Sequence, residues 1–170
     1  TMEPYWKYGK QKDYMRWFFE TYFEKENMGI AYTQIGQENS FGWPRMNKGL
    51  TYQSGLIKKY ADEGKVTVMT LGEAGKWYKE NFELTAPASQ CALSDFWGNN
   101  KKSVWYNSRF YRANLIFEDG IVKLRDMYVF NDAYKEIYLE NRCETHACQF
   151  RNLPVMDSVL YTNKANDKCI

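Results

Sequence analysis

The sequence has 170 residues, the size of one domain or a large piece of one. With 44% hydrophobic and 26% charged residues it can bury a core, which excludes a disordered tail. A net charge of +2 is too balanced to argue for a nucleic-acid partner, no apolar run approaches a membrane span, and the single histidine, His146, excludes any site built on several histidines.

No N-terminal signal peptide is visible, and Thr1-Met2-Glu3-Pro4 is compatible with a processed or truncated start, so the compartment stays open, secretion and the cell surface included. The unusual feature is the aromatic content of 18%, with six Trp, fourteen Tyr and ten Phe. So many Trp in so short a chain point to rings on a surface that binds something flat or apolar.

Along the chain, residues 11–27 read as a helix. Asp13 can cap its start, Gly29 follows its end, and Tyr14, Trp17, Phe18 and Tyr22 recur at three- and four-residue spacing on one face. Residues 29–36 read as a strand with few charges, as expected of a strand covered on both faces. A polar loop with Gly42 and Pro44 follows. A second helix spans 49–63, with Leu50, Ile57 and Tyr60 inward and Gly64 as its stop. Residues 65–70 read as a second strand and 71–82 as a third helix. This alternation is the grammar of a parallel sheet or barrel covered by helices.

The grammar changes after Phe82. Residues 83–102 are loop-like, a linker between an α/β segment at 1–82 and a β-rich segment at 103–161; a polar tail occupies 162–170. Asp119-Gly120, between two alternating runs, is a strong hairpin signal. A short helix or turn is expected around 132–140 and a last strand near 153–161. The fold class is therefore α/β followed by a β-rich segment: a partial (β/α) barrel, or a small α/β sheet with antiparallel hairpins.

Four constellations could carry chemistry. Gln37-Glu38-Asn39, with Trp43 beyond, follows a predicted strand, where α/β architectures place their sites. Glu38 is a candidate acid, or a loop carboxylate paired with Arg45 or Lys48. Glu73, after the next predicted strand, would complete a two-carboxylate cleft of the glycosidase kind. Thr70-x-x-Glu73 is also a capping box, which needs only this local spacing and is the favoured reading. The run VWYNSRFYR offers Trp105 and Tyr106 for stacking on sugar faces and Asn107, Arg109 and Arg112 for hydroxyls; alternation puts Trp105, Asn107, Arg109 and Tyr111 on one side. Its structural counterpart is a sheet face where Tyr and Arg pack across strands. Cys143-Glu-Thr-His146-Ala-Cys148 lacks paired zinc spacing and reads as a disulfide or an inert loop. No nucleophile triad and no phosphate loop can be recognised.

The segments GQENSFGWP, GKVTVMTLGEAGKWY, VWYNSRFYR, LRDMYVF and NLPVMD, from Gln37 to Pro154, resemble the later part of uncharacterised microbial proteins related to polysaccharide deacetylases and barrel glycoside hydrolases. The resemblance implies a barrel carrying a sugar site followed by a β-rich segment, of which this chain would hold the last barrel strands and the start of the β part. The deacetylase metal set, an Asp and two His, has no counterpart here. The expectation is a carbohydrate-active protein in which Glu38 and Glu73 are the catalytic acids, Trp43, Trp105 and Tyr106 stack on sugar, and Gln37, Asn39 and Arg109 bind hydroxyls. The expected partner is a polysaccharide or oligosaccharide, with no cofactor, metal, nucleic acid or membrane, and with further domains if the chain is a fragment. The alternatives are a non-catalytic carbohydrate-binding module and a protein-interaction domain.

Overall fold

The computed structural model describes residues 11–25, 27–35, 42–135, 137–145 and 154–157, excepting the side chains of Gln11, Pro154 and Asp157. A helical part precedes a β-rich part. Helix α1 (Gln11–Phe19) runs on into a π-helical turn, Glu20–Glu24; α2 (Trp43–Asp62) and α3 (Leu71–Asn81) follow. Strands β1 (Ala88–Ala92), β2 (Lys102–Asn107), β3 (Tyr111–Glu118), β4 (Ile121–Val129) and β5 (Pro154–Asp157) form an open sheet in sequence order, every pair antiparallel.

Helix α1 buries a different face from the expected one. Met15 and Phe19, each 1% exposed, pack with Tyr60 of α2, and Phe18, Phe23, Tyr52, Leu56, Ile57 and Val66 surround them. Tyr14 and Trp17 turn the other way, onto Phe96, with the Tyr14 and Phe96 rings edge to face at 5.3 Å. Aromatic rings populate both sides of this helix, so apolar periodicity alone could not choose the inward one.

Helix α2 starts six residues before the expected position, with Gly42 at its N-cap and Pro44 in its first turn. Proline suits that place, because the first helical N–H groups have no partner to lose. Gly64, at φ +69°, ends the helix as expected. Tyr60 and Lys65 then both donate to Glu24, at 2.8 and 2.9 Å, tying the end of α2 to the π turn. These bonds hold the Glu24 carboxyl below its ordinary range, Lys65 contributing most.

Neither predicted N-terminal strand forms among the described residues. Residues 30–34 and 66–70 join no sheet, and Ile35 makes a single bridge. Instead the chain at 27–29 runs along the outer edge of β1. The Ser89 amide donates to the Met28 carbonyl at 2.8 Å, and the Cys91 amide donates to Asn27 Oδ1 at 2.8 Å. Asn27 Nδ2 meanwhile donates to Thr21 and Tyr22 carbonyls at the end of the π turn. One side chain thus closes a helix terminus and covers a sheet edge, both of which would otherwise carry unpaired backbone groups.

Gly29 is essential to that junction. Its φ is +72°, and a β-carbon there would lie 2.4 Å from the Pro87 carbonyl oxygen. Gly29→Ala is expected to cost about 1–3 kcal/mol, from left-handed backbone strain plus displacement of β1. Chemical denaturation of the two proteins measures it; equal midpoints would mean that the junction relaxes freely.

The expected linker at 83–102 contains β1 and an ordered loop. Both Asp95 carboxylate oxygens accept from backbone amides, those of Trp97 at 2.9 Å, Asn99 at 3.1 Å and Lys101 at 2.9 Å. The expected hairpin is present: Glu118 pairs with Ile121 across Asp119 and Gly120, both at positive φ. A second hairpin, between β2 and β3, has neither Gly nor Pro in its turn. There the Ser108 hydroxyl accepts from the Phe110 and Tyr111 amides at 3.2 Å each.

Candidate functional site

The expected site residues separate. Gln37, Glu38 and Asn39 lie outside the described residues, as do His146 and Cys148 of the Cys143–Cys148 loop. Glu73 is held in the capping box: its carboxylate accepts from the Thr70 amide and hydroxyl at 2.8 Å each, and its own amide donates to Thr70 Oγ1 at 3.2 Å. Those bonds, the one from the Thr70 amide foremost, lower the Glu73 pKa below its ordinary value. A glycosidase general acid needs the opposite shift, so the geometry gives Glu73 its capping role.

Trp105 and Tyr106 cannot share a platform, because adjacent strand residues face opposite sides of a sheet. Tyr106 packs on Tyr111, rings 5.4 Å apart. Trp105 faces the other side and meets two guanidinium groups, Arg112 at 5.7 Å and Arg125 at 5.8 Å from the ring centre. Because the chain reverses at 108–110, Tyr111 does not share the side of Trp105, contrary to the alternation drawn through an unbroken strand. Arg109, in that turn, pairs with Asp132.

The side of Trp105 is a packed polar face. Asp126 is 3% exposed and accepts from Arg112 Nε at 3.2 Å and Nη2 at 3.4 Å. The same guanidinium lies 4.2 Å from the Tyr128 ring centre. Asn114, fully buried, donates to the Val104 carbonyl at 3.0 Å. A bulge after Asn114 leaves Arg125 as an extra residue of β4, which brings it over Trp105. This is the cross-strand packing weighed above for the VWYNSRFYR run.

Trp43 stands apart from all of this. It is 63% exposed at the start of α2 and borders an open groove of about 650 Å3, which Lys12, Asn47, Lys48, Thr51 and Tyr52 complete. Lys12 comes from α1 and lies with its ammonium 5.3 Å from the Tyr52 ring centre. Asn47 Oδ1 is buried without a hydrogen-bond partner. Among the described residues no acidic side chain lines the groove.

Among the described residues, Trp43 is the one expected binding residue that belongs to this groove. Asn47, Lys48, Thr51 and Tyr52 were missed, although their spacing from Trp43 is helical: 43, 47 and 51 step by one turn, with 48 and 52 beside them. The signal was Pro44, which marks a helix start at Trp43 rather than at Gly49.

No protein-family model, curated protein or solved structure matches this chain. The functional reading therefore rests on the residues themselves. Among the described residues no group of three His, Cys, Asp or Glu side chains is placed to hold a metal ion, and no helix is long and apolar enough to cross a membrane.

Proposed function

We propose that this chain binds carbohydrate, with the groove between α1 and α2 as its site and Trp43 as the stacking residue. The observation that carries the reading is the Trp43 ring, 63% exposed beside a shallow, mostly apolar groove edged by hydroxyl, amide and ammonium groups. An indole face held in water gains by covering the apolar face of a sugar ring, while Thr51, Asn47 and the lysines can reach ring-edge hydroxyls. Binding is favoured over hydrolysis because the Glu73 carboxylate is engaged in its cap. In the finer fold reading, the predicted strands at 29–36 and 65–70, which form no strand among the described residues, would be the last strands of a barrel of the polysaccharide deacetylase or glycoside hydrolase type, paired only in a longer chain. Its test is the gene product, which should then carry some 200 further residues upstream.

Affinity electrophoresis through gels containing plant and host polysaccharides tests the binding. The wild-type chain should be retarded in at least one gel. Trp43→Ala should weaken that retention about 30-fold, since truncating a central aromatic costs about 2 kcal/mol of binding. Its melting temperature should stay within about 2 °C of wild type, because an exposed ring contributes little to the core. Free migration in every gel, or unchanged retention of Trp43→Ala, would overturn the reading.

A second reading, protein interaction, is favoured by one observation. The sheet face opposite Trp105 leaves Phe117 and its cross-strand partner Val122 exposed, with Leu124 exposed two residues further along β4, and an apolar patch of this kind marks protein contacts. It predicts self-association or partner binding that Trp43→Ala does not disturb.

A further inference from the structure

We infer that the ligand of the α1–α2 groove is an acidic polysaccharide, one carrying carboxylate or sulfate groups; this rests on the carbohydrate reading of the same groove. A neutral sugar needs only the Trp43 ring and a few hydroxyl partners. The groove contains more than that. Lys12 approaches from α1 and Lys48 from α2, so two cations from separate helices line one concavity bounded by Trp43 and Tyr52. Among the described residues no carboxylate lines it. Among the described residues neither lysine forms an ion pair, whereas Lys58, Lys59, Lys65, Lys76, Lys101, Lys123 and Lys135 all do.

That contrast is informative because the chain as a whole is nearly neutral, at +2. Lys25, Lys79 and Lys102 are likewise outside the ion pairs of the described residues, but Lys12 and Lys48 are the two brought together in the groove that holds the exposed tryptophan. Over the Tyr52 ring, the Lys12 ammonium is restrained at the groove wall without being neutralised. An anionic group on a sugar seated against Trp43 would supply the missing counter-charge. Both ammonium groups are compact point charges rather than planar forks, so they suit single anions spaced along a chain better than one bidentate group. Nucleic acid is the other polyanion with flat rings, and the balanced net charge argues against it.

The test measures retention of the full chain on polygalacturonate, on a sulfated glycan, on a neutral β-glucan and on a single-stranded oligonucleotide. Retention on at least one acidic polysaccharide should exceed that on the neutral one about tenfold, and weaken as salt rises from about 0.05 to about 0.5 M. The polygalacturonate and sulfated arms tell carboxylate from sulfate recognition. The double variant Lys12→Gln/Lys48→Gln should lose that preference while keeping the wild-type melting temperature, and Lys12→Arg/Lys48→Arg should retain it. Equal retention on neutral and acidic glycans, or an unaltered Gln variant, would overturn the acidic-ligand inference and leave Trp43-dependent sugar binding standing. Tighter retention by the oligonucleotide than by any glycan would overturn the inference in favour of nucleic acid. Free migration on every glycan would remove the carbohydrate reading and the inference with it.

Discussion

Replacing Phe19 by Ala is expected to lower the free energy of unfolding by about 3–5 kcal/mol, the range for deleting a fully buried aromatic ring. Phe19 is among the largest side chains fully removed from solvent, and its ring meets Phe23 at 5.5 Å and Tyr60 at 5.2 Å, both edge to face. The cluster it joins has few fully buried members, Met15, Phe19 and Tyr60. Little surrounding structure can collapse into the space left behind, so the cavity term adds to the lost transfer energy. Against a total stability of about 5–15 kcal/mol, the loss is a large fraction. Tyr14→Ala is the control: Tyr14 is 40% exposed, and its removal should cost about 1 kcal/mol, mostly its edge contact with Phe96. Urea denaturation of the three proteins decides. Equal losses would mean that α1 packs through both faces alike.

Arg112→Ala is the second large effect, expected at about 3 kcal/mol. The Asp126 carboxylate, with its side chain 4% exposed, would be left buried without its counter-charge. Breaking a buried pair from one side costs about 3–5 kcal/mol, and the lower end applies because the Arg112 side chain is itself 37% exposed. The variant also removes the cation from between the Trp105 and Tyr128 rings. Arg112→Lys should fall between, retaining the charge but not the planar stack or the paired bonds. The double variant Arg112→Ala/Asp126→Ala should be more stable than Arg112→Ala alone, since the stranded carboxylate is then gone. Strict additivity of the two single losses would show that the pair is not coupled.

Thr70-x-x-Glu73 was legible as a cap, and Asp119-Gly120 as a hairpin, because each motif closes its own hydrogen bonds within a few residues. Helix α3 and the β3–β4 hairpin therefore stand where local chemistry puts them. The inward face of α1 was not legible. Tyr14, Trp17, Phe18 and Tyr22 form a credible apolar stripe, and only the arrival of α2 on one side and Phe96 on the other assigns Met15 and Phe19 to the core.

The candidate site divides in the same way. Exposure of Trp43 was an expectation from the surplus of aromatic residues, and the ring is exposed. A common surface for Trp43, Trp105 and Tyr106 was not available, because strand alternation separates the last two and α2 carries the first. Trp105 instead stacks on Arg112 and Arg125, and Arg125 arrives through a bulge that no periodicity announces.

By itself, then, the sequence determined the elements whose energetics are local: the capped α3, the glycine stop after α2, the turn at Asp119-Gly120, and a change to a β-rich segment in the second half, whereas the first part, read as α/β, is helical among the described residues. Tertiary structure decided everything that requires two distant segments to meet. Residues 30–34 and 66–70 belong to stretches with the composition of strands yet join no sheet, because a strand is stable only with a paired neighbour, and the β1 edge is taken by Met28 and the Asn27 side chain. The groove exists because Lys12 of α1 is brought against Tyr52 of α2, a contact set by the packing of Met15 and Phe19 beneath it.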